Sequence, residues 1–128
     1  MKTELKSQNA PGAIGPYSQA VKAGNFIYVS GQLPINPTTG EMPSDIKEQT
    51  AQCLKNIQSI LAEAGATLDN VVKSTVYLAD MSLFVPMNEV YAEYFKGGVY
   101  PARAAFAVKE LPKQAQLEIE VVAFHCEK

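Results

Sequence analysis

Arginine is nearly absent from this chain of 128 residues: Arg103 stands alone against ten lysines. Histidine is equally scarce, with His125 alone, and there are two cysteines, Cys53 and Cys126. These shortages exclude whole classes of chemistry. A metal centre needs three or four convergent ligands, and this donor set, with no C-x-x-C pair, predicts none. Cys53, within a helical pattern, is expected to be a small core residue. His125 and Cys126, if on a strand, would point to opposite faces. The net charge is −2 and no basic cluster occurs, which argues against nucleic acid as the main partner. No apolar run approaches the length of a membrane span. Met1 to Lys6 lacks the apolar core of a signal peptide, so the expected compartment is the cytoplasm.

Against these absences, apolar residues make up 47% and charged residues 19%. That balance, at this length, predicts a single globular domain over 1–128. Lys2 to Lys6 suits a short edge strand. Asn9 to Ser18, dense in Pro and Gly, is a loop of fixed shape. Gln19 to Lys22 begins a strand, Ala23-Gly24-Asn25 turns the chain, and Phe26 to Ser30 is a strand expected to end at Gly31. Leu33 to Pro43 is a second Pro/Gly loop.

Ser44 or Asp45 then caps a helix whose Ile46, Thr50, Cys53, Leu54, Ile57, Ile60, Leu61 and Ala64 fall on one face, with Gly65 as its stop. Val71 to Leu78 reads as a strand. Asp80 or Ser82 opens a second helix with Phe84, Met87, Tyr91, Tyr94 and Phe95 inward, closed by Gly97-Gly98. Pro101 to Val108 and Leu117 to Ala123 are two more strands, a hairpin or close neighbours in one sheet. The order predicts an α+β fold with both helices on one face of a sheet.

Strand alternation assigns faces. Ile27 and Val29, then Val72, Val76 and Leu78, then Ala102, Ala104, Phe106 and Val108, then Leu117, Ile119, Val121 and Ala123 are expected to meet the helices. The other face is expected to carry Tyr28, Ser30, Lys73, Thr75, Tyr77, Arg103, Ala105, Ala107, Glu118, Glu120, Val122 and Phe124. Two helices cannot cover both faces. A half-apolar open face predicts a homo-oligomer with a small-molecule site at its edge between subunits; a monomer with a solvated face is the alternative.

Arg103 has two readings. Its planar guanidinium suits bidentate capture of a carboxylate or phosphate, which lysine does less well. Equally, it could form a surface salt bridge with Glu118 or Glu120. Asn88, beside Phe84 and Tyr91 in the helical pattern, is either a contact residue or solvated.

Pro101-Ala102-Arg103, then Leu117-Glu118-Ile119, resembles the signature of the RidA (YjgF) family. So do Gly15-Pro16-Tyr17-Ser18-Gln19, Ser30-Gly31-Gln32-Leu33-Pro34 and Asn88-x-x-Tyr91-x-x-Tyr94-Phe95, in order and over nearly the whole chain. The resemblance implies a chorismate-mutase-like mixed sheet with two helices on one face. It implies a homotrimer with three sites between subunits, and a cofactor-independent enamine/imine deaminase. Such enzymes hydrolyse 2-iminobutanoate and 2-iminopropanoate, formed by dehydration of threonine and serine, to 2-oxo acids and ammonia.

By the same resemblance Arg103 grips the substrate carboxylate and Glu118 activates the attacking water, with Glu120 as the competing candidate. Tyr17, Ser30, Gly31 and Asn88 line the pocket, as does the Lys96 to Tyr100 loop. Glu118, beside Arg103, is expected to stay ionised. One departure stands out: Ala104-Ala105 replaces the Ser-Cys common after Pro-Ala-Arg. It removes thiol chemistry at Ala105 and alters the pocket floor. A trimeric module that binds 2-oxo acids or other small carboxylates without turnover is the competing function, and would need Arg103 but not Glu118.

Overall fold

A tight turn starts the sheet. The computed structural model, which describes residues 1–126, pairs β2 (Ala20–Ala23) antiparallel with β3 (Phe26–Gln32), with Ala23 opposite Phe26. Gly24 makes the turn at φ +62, a conformation that glycine adopts without a Cβ clash. β1 (Lys2–Leu5) adds to the edge of β2. β4 (Val71–Leu78), β5 (Ala102–Ala107) and β6 (Leu117–Phe124) complete a six-stranded sheet in the order β1-β2-β3-β6-β4-β5. Only the β4–β5 pair is parallel, as the intervening helical crossover requires. β5 and β6 both border β4 and not each other, so the hairpin alternative does not hold.

Two helices cover one face. Asp45, not Ser44, caps α1 (Ile46–Ala62), its carboxylate accepting from the Lys47 and Glu48 amides at 3.0 and 3.2 Å. Past the end of α1, Gly65 sits at φ +75 while the Ala66 amide reaches back to the Leu61 carbonyl. Asp80 caps a 3-10 turn, Met81–Leu83, that runs into α2 (Phe84–Tyr94). Leu54, Ile57, Ile60 and Leu61 of α1 and Met87 of α2 are fully buried against Ile27, Val76, Leu78, Leu117 and Ile119. Each such side chain removes enough apolar surface to contribute about 1.5–3 kcal/mol.

Three expectations need correction. β3 runs through Gly31 to Gln32, because a bulge between Val29 and Gln32 absorbs the glycine within the strand. A second bulge between Val71 and Lys73 shifts the alternation of β4, so Val71 is buried and Val72 is 46% exposed. The face of β5 is reversed. Arg103, Ala105 and Ala107 lie in register with Ser74, Val76 and Leu78, which face the helices. Phe106 instead stands on the open face, edge-on to Tyr77 with ring centroids 5.5 Å apart. β5 is an edge strand, so an arginine there can lie on the covered side with its charged end at the rim. Strand β6 stops at Phe124, leaving His125 and Cys126 beyond it.

The open face carries Phe26, Tyr28, Thr75, Tyr77, Phe106, Glu118, Glu120, Val122 and Phe124. Truncating the helix-facing core tests this packing. Ile57→Ala is expected to cost about 2–5 kcal/mol, read as a lower denaturant midpoint at unchanged slope.

Candidate functional site

Glu118 sits near the start of β6 on its open side, opposite Tyr77 of β4 and against the β3 bulge. A Cβ placed on Gly31 would stand 2.5 Å from Glu118 Oε1. The glycine is therefore needed here for close approach, not for its backbone freedom. The half-buried carboxyl is pushed above the usual carboxylate range, first by desolvation and second by Glu120. Glu118 and Glu120 open onto a cavity of about 710 Å³ whose walls include Tyr17, Ser30 and Gly31.

Two loops form the outer walls, and buried amides hold both. Gln19 donates to the Pro11 carbonyl at 2.7 Å and to the Ser7 carbonyl at 3.2 Å, and accepts from the Ser7 amide at 2.7 Å. The Ser30 hydroxyl donates to the Ser18 carbonyl at 2.6 Å. Ser30 thus ties down the loop that presents Tyr17, itself half exposed. Across the cavity, Asn56 of α1 donates to the Leu33 and Ile35 carbonyls at 3.1 and 3.0 Å, and Gln49 to the Pro43 carbonyl at 2.7 Å.

Cys53 is fully buried with its thiol on the Gln32 carbonyl; burial pushes its pKa up, in keeping with a core role. Gln19, Gln49 and Asn56 escaped the sequence reading. A polar residue inside a helix's apolar stripe was the available signal for Asn56 and Gln49, since such groups are buried only when satisfied.

Arg103 lies elsewhere. Its Nη1 donates to Asn88 Oδ1 at 2.7 Å, so Asn88 is a contact residue. The guanidinium stands 4.8 Å over the Tyr91 ring and 5.5 Å over Phe84, a cation–π seat. Tyr91, buried, shares a 2.6 Å hydrogen bond with Ser74 that fixes the ring beneath the charge. Tyr91 and Phe84 are further site residues that were read from the sequence as core alone. With Asn88, Tyr100 and Pro101, Arg103 borders a second cavity of about 330 Å³. Ala105 packs against the core and belongs to the wall of neither cavity.

The two clusters do not meet within one chain. Arg103 faces the helix side and Glu118 and Glu120 the open side, which rules out the intrachain salt bridge and the expectation that Glu118 stands beside Arg103. Among the described residues Arg103 makes no ion pair, and its remaining N–H donors are exposed. Glu118 consequently holds its proton more tightly than a free glutamate, not less. Among the described residues, no three His, Cys, Asp or Glu side chains converge as a metal site, and no helix is long and apolar enough to cross a membrane.

Two outcomes follow. Gly31→Ala must displace the Glu118 carboxylate and is expected to cost about 1–3 kcal/mol, most of it recovered when Glu118→Ala is added, as a double-mutant cycle would show. A carboxyl raised in the folded state supplies stability that is complete below its unfolded pKa and lost as pH rises through the folded one. Glu118→Gln is therefore expected to raise the thermal midpoint at about pH 8 and to change it little at about pH 4.

The chain matches the model of the family described as endoribonuclease L-PSP over residues 7–125. It is 56% identical to a RutC family protein of Pyrococcus horikoshii, over 97% of this chain and 98% of that one. It is 42% identical to TdcF of Escherichia coli, provisionally named a reactive intermediate deaminase, over 96% of this chain and 97% of that one. A crystal structure of E. coli TdcF with bound serine superposes with a TM-score of 0.94 at 40% identity, covering 97% of this chain and 99% of that one. The E. coli YjgF gene product superposes equally well, with a TM-score of 0.94 at 40% identity over 97% and 99% of the two chains. The chain belongs to the L-PSP family, which is the RidA (YjgF) family its motifs resemble.

Proposed function

We propose that this protein is an enamine/imine deaminase that hydrolyses 2-iminobutanoate and 2-iminopropanoate to 2-oxo acids and ammonia without a cofactor. The observation that carries the proposal is the division of the site. An arginine with free donors and no carboxylate lies on one side of the sheet, and a carboxyl that holds its proton tightly lies on the other. Each is half of what a carboxylate-bearing imine requires. A second copy of the chain supplies the missing half, and the partly apolar open face is the surface that would join the copies in a homotrimer. The bound serine in TdcF, itself a small amino acid, fits a ligand of this class.

In this reading Arg103, oriented by Asn88 and seated on Tyr91, holds the substrate carboxylate in two parallel hydrogen bonds. Glu118, from the neighbouring copy, accepts a proton from water as the water oxygen bonds to the imine carbon. The C=N electron pair moves to nitrogen, which takes up a proton from solvent to give a carbinolamine. The carbinolamine hydroxyl then releases its proton to solvent as the carbonyl forms and the C–N bond breaks, and Glu118 returns its proton to the departing nitrogen, releasing ammonia and the 2-oxo acid. A base that holds its proton more tightly than an ordinary carboxylate is better matched to this transfer. Tyr17 closes one side of the pocket, and Ser30 and Gly31 shape its wall.

The family model's description names an endoribonuclease. The carboxylates of Glu118 and Glu120 in the larger cavity, and a net charge of −2, oppose a polyphosphate ligand there. A carboxylate-binding module without turnover shares Arg103 with the deaminase and differs in not needing Glu118.

A dehydratase acting on threonine or serine, with 2-oxo acid formation followed above the spontaneous rate, separates these readings. The protein is expected to accelerate formation. Arg103→Ala should abolish the effect, and Glu118→Gln should lower turnover by about 10²-fold or more while leaving 2-oxo acid binding largely intact. Retained turnover in Glu118→Gln would sink the catalytic role of this residue. Mixing unfolded Arg103→Ala and Glu118→Gln chains and refolding them together tests the shared site. Random pairing should restore about a quarter of wild-type activity from two inactive parents, whereas sites contained within one chain would restore none.

A further inference from the structure

The open face holds a pair of groups that the proposed reaction leaves unused. Tyr77 stands opposite Glu118 across the β4–β6 ladder, and its phenol donates to Glu120 Oε1 at 2.5 Å. The Tyr77 ring is itself held edge-on by Phe106 of β5. Glu120 is two residues from Glu118 on the same strand face, a separation of about 7 Å along the strand. We propose that Tyr77 and Glu120 are positioning residues for the deaminase reaction: the phenol fixes the Glu120 carboxylate beside Glu118, and that fixed negative charge sets how tightly Glu118 holds the proton it takes from water. This role rests on the deaminase reading of Glu118.

The geometry gives each group a distinct part. Glu118 is confined by Gly31 of β3 behind its carboxylate, so it cannot swing away from Glu120 on that side. Glu120 is confined by the hydrogen bond it accepts from the Tyr77 phenol. Glu118 therefore faces a carboxylate that cannot turn away, and a like charge held close disfavours its own ionised form. The electrostatics agree on both sides. Glu118 is raised by burial and then by Glu120. The Tyr77 phenol is pushed up to about 12, chiefly by its hydrogen bond to Glu120.

Other titratable groups face this pair. Lys113 and Tyr17 border the cavity with both glutamates, and Lys2, Tyr28 and Lys73 border the smaller recesses beside Glu120. Cys53 of α1 lies behind the sheet with its proton retained. Among the described residues, none of these lysines forms an ion pair with Glu118 or Glu120, so the Tyr77 phenol is the donor that orders the two.

Side-chain carboxyl 13C NMR titration of the intact protein tests the coupling without reference to activity. Glu120→Gln is expected to move the Glu118 midpoint to lower pH. Glu120→Asp, which keeps the charge, should leave it closer to wild type. Tyr77→Phe, which frees the Glu120 carboxylate to turn away from Glu118, should also move the Glu118 midpoint to lower pH. In parallel, the acidic limb of kcat/KM against pH should follow the Glu118 midpoint. Glu120→Gln would then be the faster enzyme on the acid side and about two- to fivefold slower on the alkaline side. A Glu118 midpoint unmoved by Glu120→Gln, or moved equally by Gln and Asp, overturns the coupling even if hydrolysis is intact. Absence of imine hydrolysis in every form overturns the deaminase reading, and with it the catalytic purpose of the pair, while the NMR shifts still report whether the two carboxyls interact.

Discussion

Side-chain alternation across one sheet, with only one face covered, is the constraint on which everything else here depends. Successive residues of a strand point to opposite sides. A chain with two helices can bury one side and must leave the other open. Arg103 comes from the edge strand β5 on the covered side, and Glu118 from the interior strand β6 on the open side. No side-chain rotation brings them together, because the sheet itself lies between them. The division of the chemistry is a consequence of strand geometry.

Each half is prepared by different physics. The arginine is held by one hydrogen bond to Asn88 and by the faces of Tyr91 and Phe84, which leaves most of its fork available. Its immediate support is a buried tyrosine whose hydroxyl is satisfied by Ser74. The glutamate is prepared by crowding and charge: a glycine backbone on one side, a second carboxylate on the other, and partial removal from water. In the proposed reaction the arginine is a clamp, which benefits from rigid orientation, and the glutamate a proton acceptor, which benefits from a raised proton affinity. The loops around Glu118 are held by buried amides from Gln19, just before β2, and from α1, so the cavity wall is part of the fold's hydrogen-bonding and not an appendage to it.

The β3 bulge links the fold to this site. It lets Gly31 remain in the strand while presenting bare backbone to Glu118. The second bulge, in β4, breaks the alternation so that Val71 is buried and Val72 is left exposed.

Periodicity in the sequence determined the element order, both helices, the Asp45 cap of α1, its core stripe and the faces of β3 and β6. These follow from local spacing, which a chain carries wherever it folds. Motif order also singled out Arg103, Asn88, Tyr17, Ser30, Gly31 and Glu118 as candidates. Tertiary structure decided what local spacing cannot contain. Bulges changed the alternation at Gly31 and Val72, because an extra residue in one strand is defined only relative to its partner. The face of β5 was reversed because its sequence is apolar on both sides, and an edge strand allows an arginine to lie on the covered side and a phenylalanine on the open one. Gln49 and Asn56 became loop clamps only once the loops were folded against α1. That Arg103 and Glu118 lie on opposite sides of the sheet was likewise a tertiary outcome, since it depends on the pairing of both strands with β4.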